Sequence, residues 1–189
     1  MGSSPSEGGM DEPSTTQIIT YLEQRQRPQL HVTPPHRAAM LLHVEEITAS
    51  FSRYLYTTVG EPWGWWERSA LTDDDLLEIL HDPLVEIAVL YVGGVPAGYF
   101  ELDRRVEGEV EIAYLGLVPE FIGRGLGKWL LSLAVEAAWS HEPERVWVHT
   151  SDWDHPRALL AYQWAGFEVF QMERRTVPNP RASADGPED

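Results

Sequence analysis

The sequence contains no cysteine. That absence removes disulfides, thiolate metal sites and a cysteine nucleophile together, and with them any route through a cysteine acyl-enzyme. Basic residues are scarce: 14 Lys and Arg stand against 30 Asp and Glu, for a net charge of −16. Residues 1–13 hold −3 of this and residues 178–189 hold −2, so the body of the chain between them keeps −11. A surface of that sign opposes nucleic acid, which is bound by neutralising phosphates, and attracts cations such as amines. No apolar run approaches the roughly 20 residues of a membrane helix. The opening MGSSPSEGGMDEPS lacks the basic segment and apolar stretch of a secretory leader. A cytoplasmic protein with neither membrane nor nucleic acid as partner is expected.

Apolar and aromatic side chains are plentiful, at 43% and 11% of the 189 residues. That is enough for one sizeable core and short for two ordinary domains. Gly, Ser and Pro content predicts disorder over residues 1–14, and the tail at 178–189 is read the same way, leaving one domain over 15–177. Strands are expected at 17–22, 38–44, 85–92, 97–102, 110–118, 145–150 and 167–177, and helices at 47–59, 73–80, up to Trp139, and 156–164. Gly93-Gly94 marks a hairpin, Thr72 with Asp75 a capping box, and Gly60 a helix stop. Pro156 suits the first turn of the last helix. Leu126, Leu130, Leu133 and Ala137 form one apolar stripe. The order of elements predicts an α/β fold, a mixed sheet flanked by helices.

The most informative stretch is EVEIAYLGLVPEFIGRGLGK, residues 109–128. An apolar strand ends at Pro119, three glycines follow at alternate positions (Gly123, Gly125, Gly127), and Lys128 opens a long helix. Glycines let the backbone turn tightly and bring its amides close to a ligand, and amides at a helix start suit a phosphate. The dinucleotide fingerprint fails, because the third glycine comes one residue early. A phosphate-binding Walker loop fails too, with Ile122 in place of its first glycine and Trp129 after the lysine. The run instead resembles the acyl-CoA signature of the GNAT acetyltransferase superfamily, V-x-P followed by [QR]-x-x-G-x-[GA], with Ile122 standing where that family has Gln or Arg. A second stretch, Asp152–Phe167, is similar to the other half of that signature, N-x-x-A-x-x-x-Y-x-x-x-G-F: Ala158, Tyr162, Gly166 and Phe167 fall in register and His155 takes the Asn position.

The resemblance implies a mixed, mostly antiparallel sheet and acetyl-CoA as the acyl donor. It places Leu117, Val118, Ile122, Gly123, Arg124, Gly125, Leu126, Gly127, Lys128, His155, Ala158 and Tyr162 around that donor. It also implies that Tyr162 is the acid for the departing thiolate, that amides near Leu117 and Val118 polarise the thioester carbonyl, and that Glu111 is the base, with Glu109 and Glu101 as competitors. Without cysteine, direct attack by the acceptor is favoured. The acceptor pocket is expected upstream, where Tyr54, Trp63, Trp65, Trp66 and Glu67 would hold an ammonium by cation–π and ionic contacts. A small amine is the expected acceptor; Arg68 keeps a carboxylate-bearing amino acid open, and a homodimer is left open. The Asp152, Asp154 and His155 group lacks a strict ligand spacing, so no metal is expected. The rival readings are a non-catalytic acyl-CoA-binding module and a protein-interaction domain that uses the tryptophan-rich surface.

Overall fold

The structure, a computed structural model, describes residues 14–33 and 38–178. The expected disorder at 1–14 and 178–189 falls almost wholly outside these residues. Seven strands form one sheet: β1 (Ser14–Gln24), β2 (Ala39–Val44), β3 (Val85–Val92), β4 (Val95–Asp103), β5 (Glu109–Leu117), β6 (Arg145–Ser151) and β7 (Glu168–Pro178). Their order across the sheet is β2-β3-β4-β5-β6-β1-β7. Four helices cover it: α1 (Ala49–Gly60), α2 (Asp73–Leu80), α3 (Leu126–Ser140) and α4 (Ala158–Trp164). Among the described residues no helix is long and apolar enough to cross a membrane.

Local chemistry sets the ends of these elements. Thr48 and Thr72 cap α1 and α2 by accepting from the amides of Phe51 and Asp75, at 3.3 and 3.2 Å. Asp73, Asp74 and Asp75 then lie at the positive end of α2. Gly93 and Gly94 both have positive φ (63° and 88°), which suits a tight hairpin between β3 and β4. Gly60 does not stop its helix in the open; the chain continues into a 3-10 turn at Glu61–Trp63. Pro156 lies before α4 rather than inside it, because Asp154 holds the preceding turn by accepting from the amide of Ser151 and the hydroxyl of Thr150, both at 2.7 Å.

The two faces of the sheet carry separate cores. Leu55 and Val59 of α1 and Leu76 and Leu80 of α2 pack on Ile87, Val89 and Tyr99. On the other face α3 buries Leu126, Leu130, Leu131, Ala134, Val135 and Ala138 over Leu90, Phe100, Leu102, Ile112 and Val148. Leu133 and Ala137 of the expected stripe sit at its half-buried margin, since the wide apolar surface of α3 is turned toward Leu131 and Ala134.

Two features shape the site. All neighbouring strands are antiparallel except β5 and β6, which are parallel and pair only from Glu109–Glu111 to Arg145–Trp147. Beyond that point they diverge. On β5 the register to β4 slips, Leu102 facing Ile112 and Glu101 facing Tyr114, so Ala113 is an extra bulged residue at the start of the splay. The second feature is β1, expected as a short strand and in fact 11 residues long, inserted between β6 and β7. Its buried Gln24 donates to the Ala165 carbonyl at 2.7 Å and accepts from the Trp139 indole at 2.8 Å, tying β1 to the ends of α3 and α4.

Candidate active site

The splay of β5 and β6 opens a cleft of about 730 Å³ that runs through the sheet from one helical layer to the other. Its α3/α4 half is lined by Leu117, Ile122, Gly123, Gly125, Gly127, Lys128, Ala158 and Tyr162. Its α1 half is lined by Val59, Trp63, Trp65, Glu67, Tyr114, His149 and Ser151.

The glycine turn leads from β5 into α3 along one wall of the cleft. Gly123 and Gly125 both have φ of +79°, and a Cβ at either position would meet nothing within 4 Å. Gly125 caps α3, so the free amides of its first turn open onto the cleft. Ala158 and Tyr162, four residues apart, share one face of α4. The Tyr162 ring packs edge-on against Phe167, with centroids 5.9 Å apart. Burial raises the Tyr162 pKa and the nearby Asp154 charge raises it further, so the hydroxyl keeps its proton at neutral pH. At the mouth, the Lys128 ammonium stands 4.4 Å from the centre of the Trp164 ring.

The backbone of β5 supplies a directed donor. The Val118 amide is spent on the Ala97 carbonyl at 2.9 Å. Antiparallel pairs alternate in bonding direction, so the amide of Leu117, opposite Gly98, faces away from β4 toward the splay. Of the two amides expected to polarise a carbonyl, Leu117 is the one aimed at the cleft.

The α1 half is held by side chains. Trp65 donates from its indole nitrogen to Asp154 at 3.2 Å and packs between Tyr56 and Tyr114, at 5.5 and 5.1 Å between ring centroids. Gly60 lies beneath it, where a Cβ would come within 2.3 Å of the indole. Trp63 meets the His155 ring edge-on at 5.0 Å. The Tyr56 hydroxyl donates to Glu67 at 3.2 Å. Below the cleft, Arg68 pairs with the buried Glu101 and lies 5.0 Å from the centre of the Tyr114 ring. Burial pushes the Glu101 pKa up to about 7 despite the Arg68 charge that opposes the shift.

Several expected residues stand elsewhere. Val118 and Leu126 are buried in the two cores. Arg124 is outside the cleft, its guanidinium 5.0 Å from the Phe121 ring centre. Tyr54 is 46% exposed and stacks on Phe51 away from the site, and Trp66 does not reach the lining. His155 lines the cleft and its Nδ1 accepts from the Arg157 amide at 3.1 Å, which orders the turn before α4. Glu111 is not among the lining residues; it contacts His149, Oε1 to Nδ1 at 3.1 Å, and His149 is in the cleft. Glu109 is taken by Arg145 at 2.8 Å and Glu101 by Arg68. Sequence reasoning missed His149 and Ser151 and considered Asp154 only as a metal ligand. The alternation of Trp147, His149 and Ser151 along β6, opposite Val146 and Val148, was the available signal.

The sequence over residues 44–167 matches the model of the acetyltransferase (GNAT) family. Among solved structures, the fold is similar to a functionally unknown conserved protein from Staphylococcus epidermidis, with a TM-score of 0.61 and 14% identity over 92% of this chain and 69% of the other. It is similar to a GNAT-family acetyltransferase from Streptococcus pneumoniae (TM-score 0.53, 18% identity, 80% of this chain and 95% of the other). It is also similar to an IAA acetyltransferase from Bacillus cereus (TM-score 0.54, 20% identity, 71% of this chain and 79% of the other). No curated protein matches the chain. With the match spanning more than half of its length, and strands splayed beside a glycine turn, the chain belongs to the acetyltransferase (GNAT) family and is an acyltransferase.

Proposed function

We propose that the protein moves an acetyl group from acetyl-CoA to the amine of a small cationic molecule by direct attack. The observation that carries this reading is a single cleft whose two halves differ in kind and meet between β5 and β6. The α3/α4 half fits the donor: open space over Gly123 and Gly125 for a pyrophosphate, Ala158 for the close approach of an extended arm, and Lys128 at the mouth. Acetyl-CoA supplies an activated acyl carbon and a thiolate leaving group. The Leu117 amide stabilises charge on the acyl oxygen, and the protonated Tyr162 hydroxyl hands its proton to the sulfur. In the α1 half, Glu67 and Asp154 attract an ammonium while Trp63 and Trp65 wall it in. Proton removal from that nitrogen belongs to the Glu111 side of the cleft.

Calorimetric titration of acetyl-CoA into the protein tests the reading. Micromolar binding is expected, and Gly125→Glu is expected to weaken it on the order of 100-fold, the equivalent of about 3 kcal/mol. The new side chain has room, so the folded state bears only the strain of a non-glycine residue at positive φ, about 1–3 kcal/mol. No binding by the wild type overturns the reading.

A further inference from the structure

The geometry points to His149, oriented by Glu111, as the group that takes the proton from the attacking amine. The inference rests on the acetyltransferase reading above. Three observations carry it. His149 lines the α1 half of the cleft, and Glu111 does not. The His149 Nδ1 lies 3.1 Å from Glu111 Oε1, so the carboxylate fixes the tautomer with Nδ1–H donating and leaves Nε2 as the free acceptor. The pair bridges β5 and β6 where the strands part: Glu111 belongs to their last residue pair, with Trp147, and His149 follows Trp147 on β6 beyond the paired segment. Glu111 is 20% exposed behind the ring and His149 is 41% exposed, so an acceptor entering from the α1 layer meets imidazole first.

The charge around the ring suits the task. Burial lowers the His149 pKa, but the hydrogen bond and charge of Glu111 outweigh it, with further help from Asp154 and Glu67, and the net shift is upward. From β1 the Tyr21 ring lies 6.0 Å away, and Trp147 flanks it on β6 at 6.3 Å. A base whose pKa lies near the working pH is an effective one. The protons balance as follows. An acceptor ammonium gives one proton to Nε2 of neutral His149. The freed nitrogen pair bonds to the acyl carbon, the carbon–sulfur bond breaks, and the sulfur takes the proton of Tyr162. The nitrogen sheds its second proton to solvent, which returns one to Tyr162, and His149 then gives its proton to solvent, so the sum is an amide, a thiol and one released proton. His149 is thus a catalytic residue and Glu111 a positioning residue.

The test compares wild type, His149→Asn and Glu111→Gln in three measurements: acetyl-CoA calorimetry, the NMR titration of the His149 imidazole in the free protein, and the pH profile of thiol release with spermidine and tryptamine. All three forms are expected to bind acetyl-CoA equally. In wild type the kcat/KM should rise with pH through the His149 pKa read by NMR, since the neutral ring is the active form. Glu111→Gln removes the anion that raises that pKa, so both the NMR midpoint and the acidic limb should move together to lower pH, with a slower plateau. His149→Asn should abolish that limb and slow kcat on the order of 100-fold. A His149→Asn variant with the wild-type profile, or a limb that does not follow the NMR midpoint, overturns the assignment while leaving the acetyltransferase reading intact. Acetyl-CoA binding without transfer to either amine overturns both, and absence of binding overturns the reading on which the assignment rests.

Discussion

The two halves of the cleft are made of different material. The α3/α4 half comes from two short continuous segments and exposes much main chain, with two glycines at positive φ, a helix start and an alanine beside Ile122, Lys128 and Tyr162. The α1 half is built from large side chains, Trp63, Trp65, Tyr114 and His149, that arrive from distant parts of the chain and hold one another by hydrogen bonds and ring contacts. A half made of main chain serves a ligand that presents the same groups every time. A half made of interlocked side chains can be altered one residue at a time, so under the proposed function acceptor choice is free to change without touching the donor. The physical separation of the two is the bulge at Ala113 and the parting of β5 from β6.

Substitutions should affect the two halves differently. The largest effect is expected at the junction. Tyr162→Phe removes one hydroxyl from the cleft wall and should lower kcat on the order of 100-fold or more, with acetyl-CoA affinity unchanged by calorimetry. A smaller effect separates packing from chemistry: Gly116 faces α1 so closely that a Cβ would lie 2.3 Å from a Val59 methyl. Gly116→Val should therefore destabilise the fold by about 1–3 kcal/mol, read by urea unfolding, and push α1 and the tryptophans that follow it off the sheet. Trp65→Phe keeps an aromatic ring at this position and removes the indole N–H that donates to Asp154. It should cost about 1 kcal/mol and raise KM for the amine while leaving the acetyl-CoA affinity intact.

The smallest effect is a slope. Glu101 titrates at about 7 in the folded protein, above its ordinary value near 4.5. Between those two pH values the folded state binds more protons than the unfolded one, so this group's contribution to stability is full below about 4.5 and is lost as pH rises through about 7. Glu101→Gln is expected to flatten the thermal midpoint across that window.

The contrast between the halves also explains what was legible in the sequence. Where the cleft is lined by residues close in sequence, the resemblance marked them: Gly123, Gly125, Gly127 and Lys128, and Ala158 with Tyr162, all line it, and the Thr72 cap and the Gly93-Gly94 hairpin stand where local chemistry placed them. The α1 half depends on which residues meet across the sheet. Nothing near Glu111 in sequence shows that His149 covers it, because that contact follows from a parallel register of three residue pairs between β5 and β6. Among the aromatic residues at 54–66, composition could not tell the exposed Tyr54 from Trp65, since the difference comes from the Gly60 surface beneath the indole and the Asp154 carboxylate beside it. The insertion of β1 was equally hidden, because its pattern carries no mark of its neighbours.

That inserted strand has a consequence for how the molecule assembles. Ser14 is paired with Pro178 and Gln24 with Val146, so β1 joins two strands that lie more than 120 residues further along the chain. Closing loops of that length comes before any reward from the contacts they permit, which makes such pairings slow. Until β6 or β7 has formed, β1 has no partner, and until β1 is in place the edge of β6 is open and β7 has no neighbour. Gln17 and Ile19 of β1 line the cleft as well, so the wall beside His149 and Ser151 is completed in the same late step. The capacity to bind ligand and the closure of the sheet should accordingly appear together during refolding, as one event.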